Sequence, residues 1–125
     1  MVIEVSFEKI IESYHNEIIN TTQELIRIRS VGEKGPKDMP FGKGMNDALE
    51  YVWNLAENMG CVVKNLDGYC GYAEYGEGEL YIGIMTHVDT CPEGELWTVP
   101  PFEGRIMNNR IYGRGSMDNK GPLMA

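Results

Sequence analysis

The chain has 125 residues, 42% hydrophobic and 24% charged, a balance that suits one packed core and excludes a disordered segment. Nineteen acidic against eleven basic side chains leave a formal charge of −8 with no Lys/Arg cluster, which excludes nucleic acid as a partner. MVIEVSFEKIIESYH lacks a basic region followed by an unbroken apolar stretch, and no run nears the roughly 20 apolar residues of a membrane span, so the expectation is a soluble, cytoplasmic protein with no membrane partner.

Phe7, Ile11, Tyr14, Ile18 and Leu25 recur at helical spacing, predicting one amphipathic helix over residues 6–29 with His15 on its surface. SVGEKGPKDMPFGKG, residues 30–44, carries four glycines and two prolines and reads as a loop. Met45, Ala48, Leu49, Val52, Ala56 and Met59 form a second apolar stripe, and Gly60 stands where a helix C-cap glycine belongs. CVVKNL, YCGYAEY and ELYIGIMTH, separated by Asp-Gly and Gly-Glu-Gly turns, read as three strands. The third is nearly all apolar and is expected at the centre of a sheet. FEGRIMNNRIYG reads as a hairpin turning on Asn108 and Asn109, residues that tolerate positive φ. The elements predict an α/β fold with helices packed on a mixed β-sheet. Cys61, Cys70 and Cys91 are odd in number and lack C-x-x-C spacing, so they are expected reduced and mostly buried.

IGIMTHVDT, residues 82–90, is an apolar run that ends on His87 and Asp89. In a strand these two project from the same face, and the carboxyl end of a central strand is where open α/β sheets bind ligands. An imidazole beside a carboxylate serves as a metal ligand with its orienting partner, as an acid/base pair, or as a structural hydrogen bond. In IYGRGSMDNKGP, residues 111–122, a glycine-rich turn delivers Asp118 just before a helix, either to a site or as that helix's cap. A phosphate loop is excluded, because Lys120 lies between Asn119 and Gly121 rather than between Gly and Ser or Thr.

THVDTCPEGELWTVPPFEG and YGRGSMDNKGP, in that order, resemble the zinc aminoacylase, acetylornithine deacetylase and succinyl-diaminopimelate desuccinylase family of metallopeptidases and amidohydrolases. PFGKGMNDALEYVWNLAENMG and NLDGYCGYAEYGEG resemble its bacterial dipeptidase and carnosinase-like branch, so the resemblance covers residues 20–125. It implies a zinc-exopeptidase-like catalytic domain that hydrolyses the amide bond of dipeptides or N-acyl amino acids with two zinc ions, manganese or cobalt being alternatives. By position it makes His87 a ligand of one ion, Asp118 the carboxylate bridging two, and Asp89 the catalytic-site residue that orients His87. Gly113 and Gly115 would aim Asp118, Arg114 and Lys120 would balance charge or lie at the surface, and Cys91 has no role. Trp97 and Phe102 would pack around the site, and Glu93, Glu95 and Glu103 would be solvated.

Family members go on to supply a Glu-Glu pair, another carboxylate ligand, a distant histidine and a lid domain. Residues 1–125 are therefore expected to be a partial catalytic domain without the lid and the second half of the site, inactive alone and prone to self-association through uncovered surfaces. The alternatives are a non-catalytic metal-binding or assembly module, and a plain structural domain.

Overall fold

The computed structural model describes residues 6–125; the first five, part of the stretch read for a leader, lie outside the described residues. Helix α1 spans Phe7–Arg27, with Ser6 Oγ accepting from the Lys9 amide and Arg27 in the last turn, where a cation meets the negative end of the helix dipole. Its stripe is buried only towards the C-terminus, at Thr22, Leu25 and Ile26, whereas Phe7 and Ile11 are exposed. Residues 30–42 fold back on themselves, Glu33 N donating to Phe41 O at 2.9 Å and Gly42 N to Met39 O at 2.9 Å.

Helix α2, Lys43–Asn58, starts directly against the end of α1: a Cβ on Gly44 would lie 2.0 Å from the Arg29 carbonyl oxygen. It ends as the sequence predicts. Gly60 has φ 89°, its amide donates to Glu57 O, and the Cys61 amide donates to Ala56 O, a Schellman closure that satisfies the last carbonyls. Strands β1 (Val62–Leu66) and β2 (Cys70–Glu74) pair antiparallel and pack on α2, with Gly71 so close under Trp53 that a Cβ would come within 2.6 Å of the indole. Strands β3 (Arg105–Met107) and β4 (Arg110–Tyr112) form the predicted hairpin, Asn108 and Asn109 taking φ 51° and 57°. Helix α3, Lys120–Met124, is short.

The α/β class stands, but the expected mixed sheet is corrected to two separate two-stranded antiparallel ladders among the described residues. ELYIGIMTH joins no ladder and forms no strand, and Leu80, Tyr81, Ile82, Ile84 and Met85 are 88–98% exposed. A strand needs neighbours for its N–H and C=O groups. Among the described residues this segment has none, and the chain gains a single parallel bridge only three residues further on, between Thr90 and Val31. The core lies at that end: Leu25 of α1, Ala48 of α2 and Val88 are buried together, with Leu123 and Met124 of α3 packed against them. None of the described helices is long and apolar enough to cross a membrane.

Candidate metal centre

The segment after His87 alternates as a strand does even with one bridge to hold it. Val88 and Thr90 are buried, while His87 and Asp89 turn outwards together. Ser30, fully buried just beyond α1, pins this alternation: its Oγ donates to Val88 O at 2.6 Å and its carbonyl accepts from Thr90 N at 3.0 Å. On the exposed face, His87 Nδ1 stands 3.0 Å from Asp89 Oδ1.

The second segment arrives by close backbone packing. Gly113 lies against Ile26, where a Cβ would come within 2.5 Å of Cγ2, and Gly115, at φ 88°, leaves no room between Thr90 and the Lys120 stem. This turn carries Asp118 to the far side of the imidazole, Oδ1 lying 3.1 Å from His87 Nε2. Asn119, joined to Asp118 by a cis peptide, donates from Nδ2 to Thr86 Oγ1 at 2.7 Å and ties the two segments side chain to side chain.

Lys120 departs from expectation. Neither a surface residue nor a partner for nearby carboxylates, it is fully buried, and Nζ donates to Leu25 O at 2.9 Å and Ile28 O at 2.6 Å, capping the end of α1. Burial pushes its pKa down to about 8. Arg114 is half-buried over the Trp97 ring, 5.2 Å from its centroid, and donates to Glu93 O at 3.0 Å. Trp97 donates to the same carbonyl and stays partly exposed, so it is braced by polar groups rather than packed inward; Phe102 is half-buried beneath Arg29. Glu93, expected solvated, is half-buried and chelated by Arg29, whose hydrogen bonds hold its carboxyl below the usual range. Glu103 pairs with Arg105, Glu95 is exposed, and His15 is exposed on α1. The cysteines are free, but Cys70 and Cys91 are exposed and Cys61 only half-buried, because β2 and the turn after Asp89 have one uncovered side.

One imidazole thus lies between two carboxylates. A neutral ring has a single N–H, so it satisfies one of them, and a second proton or a cation completes the other side. Donors bound at about 2.0–2.1 Å to a tetrahedral ion are separated by about 3.3 Å. The 3.1 Å between His87 Nε2 and Asp118 Oδ1 is within a small adjustment of that, so the pair fits as two ligands of one cation. Asp89, on the opposite nitrogen, cannot reach the same ion. Among the described residues no group of three or more His, Cys, Asp or Glu is arranged to hold a metal.

Residues 83–125 match the model of Peptidase family M20/M25/M40. The chain is 47% identical over 112 residues to Putative dipeptidase YtjP of Bacillus subtilis (strain 168), an overlap of 87% of this chain and 24% of that protein. It is 38% identical over 120 residues to a Putative dipeptidase of Staphylococcus epidermidis, covering 94% and 25%. With Putative dipeptidase SAUSA300_1697 of Staphylococcus aureus (strain USA300) it shares 36% over 117 residues, covering 92% and 25%. The chain spans about a quarter of the length of these curated relatives. With the His-x-Asp segment and the glycine turn converging inside the matched region, the chain belongs to peptidase family M20/M25/M40, a family of hydrolases, on the side of the proteins named as dipeptidases.

Proposed function

We propose that this chain contributes two ligands, His87 through Nε2 and Asp118 through its carboxylate, to the metal centre of an enzyme that hydrolyses the amide bond of dipeptides, with N-acyl amino acids as the second substrate class. The observation that carries the reading is the single imidazole held between two carboxylates at 3.0 and 3.1 Å. Asp89 accepts from Nδ1–H, which fixes the tautomer and aims the Nε2 lone pair at the ion. Asp118 is the most exposed of the three and offers oxygens on more than one side, as a bridge between two ions requires. Zinc suits a nitrogen and carboxylate set, with manganese and cobalt as alternatives. When bound, such cations polarise a scissile carbonyl and acidify water.

Catalytic zinc commonly has three protein ligands, and hydrolysis needs a carboxylate to move the proton. In this reading residues 1–125 are part of a catalytic domain, with the remaining ligands and the base supplied by residues outside them. The names of the relatives and the quarter of their length that is matched support this assignment. Three free cysteines, two of them exposed, suit a reducing, cytoplasmic compartment. The exposed apolar segment from Leu80 to Met85 supports self-association, and it is the one observation that favours an assembly module instead.

Calorimetric titration of the chain with zinc, cobalt and manganese tests the reading. The expected result is binding far weaker than a complete three-ligand site, lost in His87→Ala and Asp118→Ala and weakened in Asp89→Asn. Tight zinc binding that survives Asp118→Ala would place the ion elsewhere. Metal-dependent dipeptide turnover by the chain alone, abolished by His87→Ala, would overturn the partial-domain assignment.

A further inference from the structure

We infer that Lys120 is a positioning residue: by tying the Asp118 turn to the last carbonyls of α1, it sets the separation between His87 and Asp118. Asp118 is 85% and His87 45% exposed in their side chains, so little packing restrains either, and their contact depends on how their backbones are held. Both backbones are held by the same short stretch. Ser30 takes the His87 segment through Val88 O and Thr90 N, and Leu25 and Ile28 take the Asp118 segment through Lys120 Nζ. The end of α1 is therefore a splint between two parts of the chain that also touch where Gly115 packs on Thr90, where Leu123 and Met124 pack on the core that holds Val88, and at the Asn119–Thr86 hydrogen bond.

The turn is built around the lysine. Its amide donates to Gly115 O at 2.8 Å, and its Cγ and Cδ fill the space beside Gly115 that a side chain there would need. The ammonium end is held by two carbonyls, that of Leu25, which also accepts from the Ile28 amide, and that of Ile28, for which Lys120 is the hydrogen-bond donor. An apolar side chain of equal length would fill the slot but lose both hydrogen bonds, leaving Leu25 O with only the Ile28 amide and Ile28 O without this donor. The turn would then be free to rotate about its glycines, and Asp118 would leave the imidazole.

The functional weight of this inference rests on the metal-site reading, so the test reads position and metal separately. In the isotopically labelled chain, the His87 ring nitrogens report the Asp118 contact by long-range nitrogen–proton NMR, and His15, exposed on α1, is the internal control. Lys120→Met is expected to move the His87 ring signals to the pattern of Asp118→Asn, with His15 unchanged and far-UV circular dichroism native. Lys120→Gln, which keeps a donor on a shorter stem, is expected to fall between. Cobalt titration followed by visible absorption is expected to show affinity lowered about 10–100-fold in Lys120→Met, as for other residues that orient ligands. Native-like ring signals and unaltered cobalt affinity in folded Lys120→Met would overturn the inference and leave the metal reading standing. Ring signals that move in Lys120→Met while the unaltered chain binds no cobalt through His87 would support the positioning and sink the metal reading. Unfolding of both Lys120 variants would also overturn it, by making the residue a determinant of the fold and not of the site.

Discussion

A lysine is almost never fully buried without a partner, and nothing near Lys120 in sequence announces one. Its acceptors, Leu25 O and Ile28 O, lie 95 and 92 residues away along the chain. His87 and Asp89 are different, because the two-residue period of a strand is local and puts them on one face wherever the strand lies. Gly115 joins both kinds of information. Its place in a Gly-Arg-Gly turn suggests positive φ, but the collision that a side chain would make, 2.8 Å from Thr90 Cγ2, exists only in the folded chain. Gly115→Ala is accordingly expected to destabilise the chain by about 1–3 kcal/mol, adding left-handed strain to overpacking. A urea titration of the variant checks this, and an unmoved midpoint would mean that the turn relaxes freely.

Between elements, α1 and α2 are joined on their outer side by Tyr51, whose hydroxyl donates to Glu24 Oε2 at 2.7 Å. Burial first, and then the Glu24 carboxylate, keeps this phenol protonated well above the ordinary tyrosine range. The folded chain thus holds a proton that the unfolded chain releases near pH 10. The contribution to stability is fully present below that pH and is lost as the pH rises towards the folded-state value. In an ultraviolet titration, one of the seven tyrosines should ionise after the rest, and Tyr51→Phe should remove that late phase. All tyrosines ionising together while the circular dichroism stays native would contradict it. Packing between the same helices depends on Leu25, fully buried in the shared core, and Leu25→Ala should cost about 2–5 kcal/mol by thermal or chemical denaturation. Helix ends and tight turns were the most legible elements: Gly60 closes α2, and Asn108 and Asn109 close the β3–β4 hairpin, because their φ values are set by adjacent residues.

Over the whole molecule, the segment from Leu80 to Met85 is apolar and uncovered, whereas the same run continues at Val88 into the core. An uncovered apolar edge favours pairing between copies. Sedimentation velocity should therefore show association that grows with concentration and falls in Ile82→Lys or Ile84→Lys, with little effect on the fold because both side chains are more than 85% exposed. A monodisperse monomer at high concentration would count against it. From sequence alone followed the helices, the β1 and β2 strands, the hairpin on Asn108 and Asn109, the shared face of His87 and Asp89, the glycine turn before Asp118 and the family resemblance, since each is written in periodicity, turn chemistry or motif order within a short window. The tertiary structure alone decided that the apolar run joins no ladder, that Lys120 is buried as the cap of α1, that Glu93 is chelated by Arg29, and that Asp118 meets the second nitrogen of His87. Those outcomes depend on which distant segments meet, and burial and pairing are properties of the meeting and not of either segment by itself.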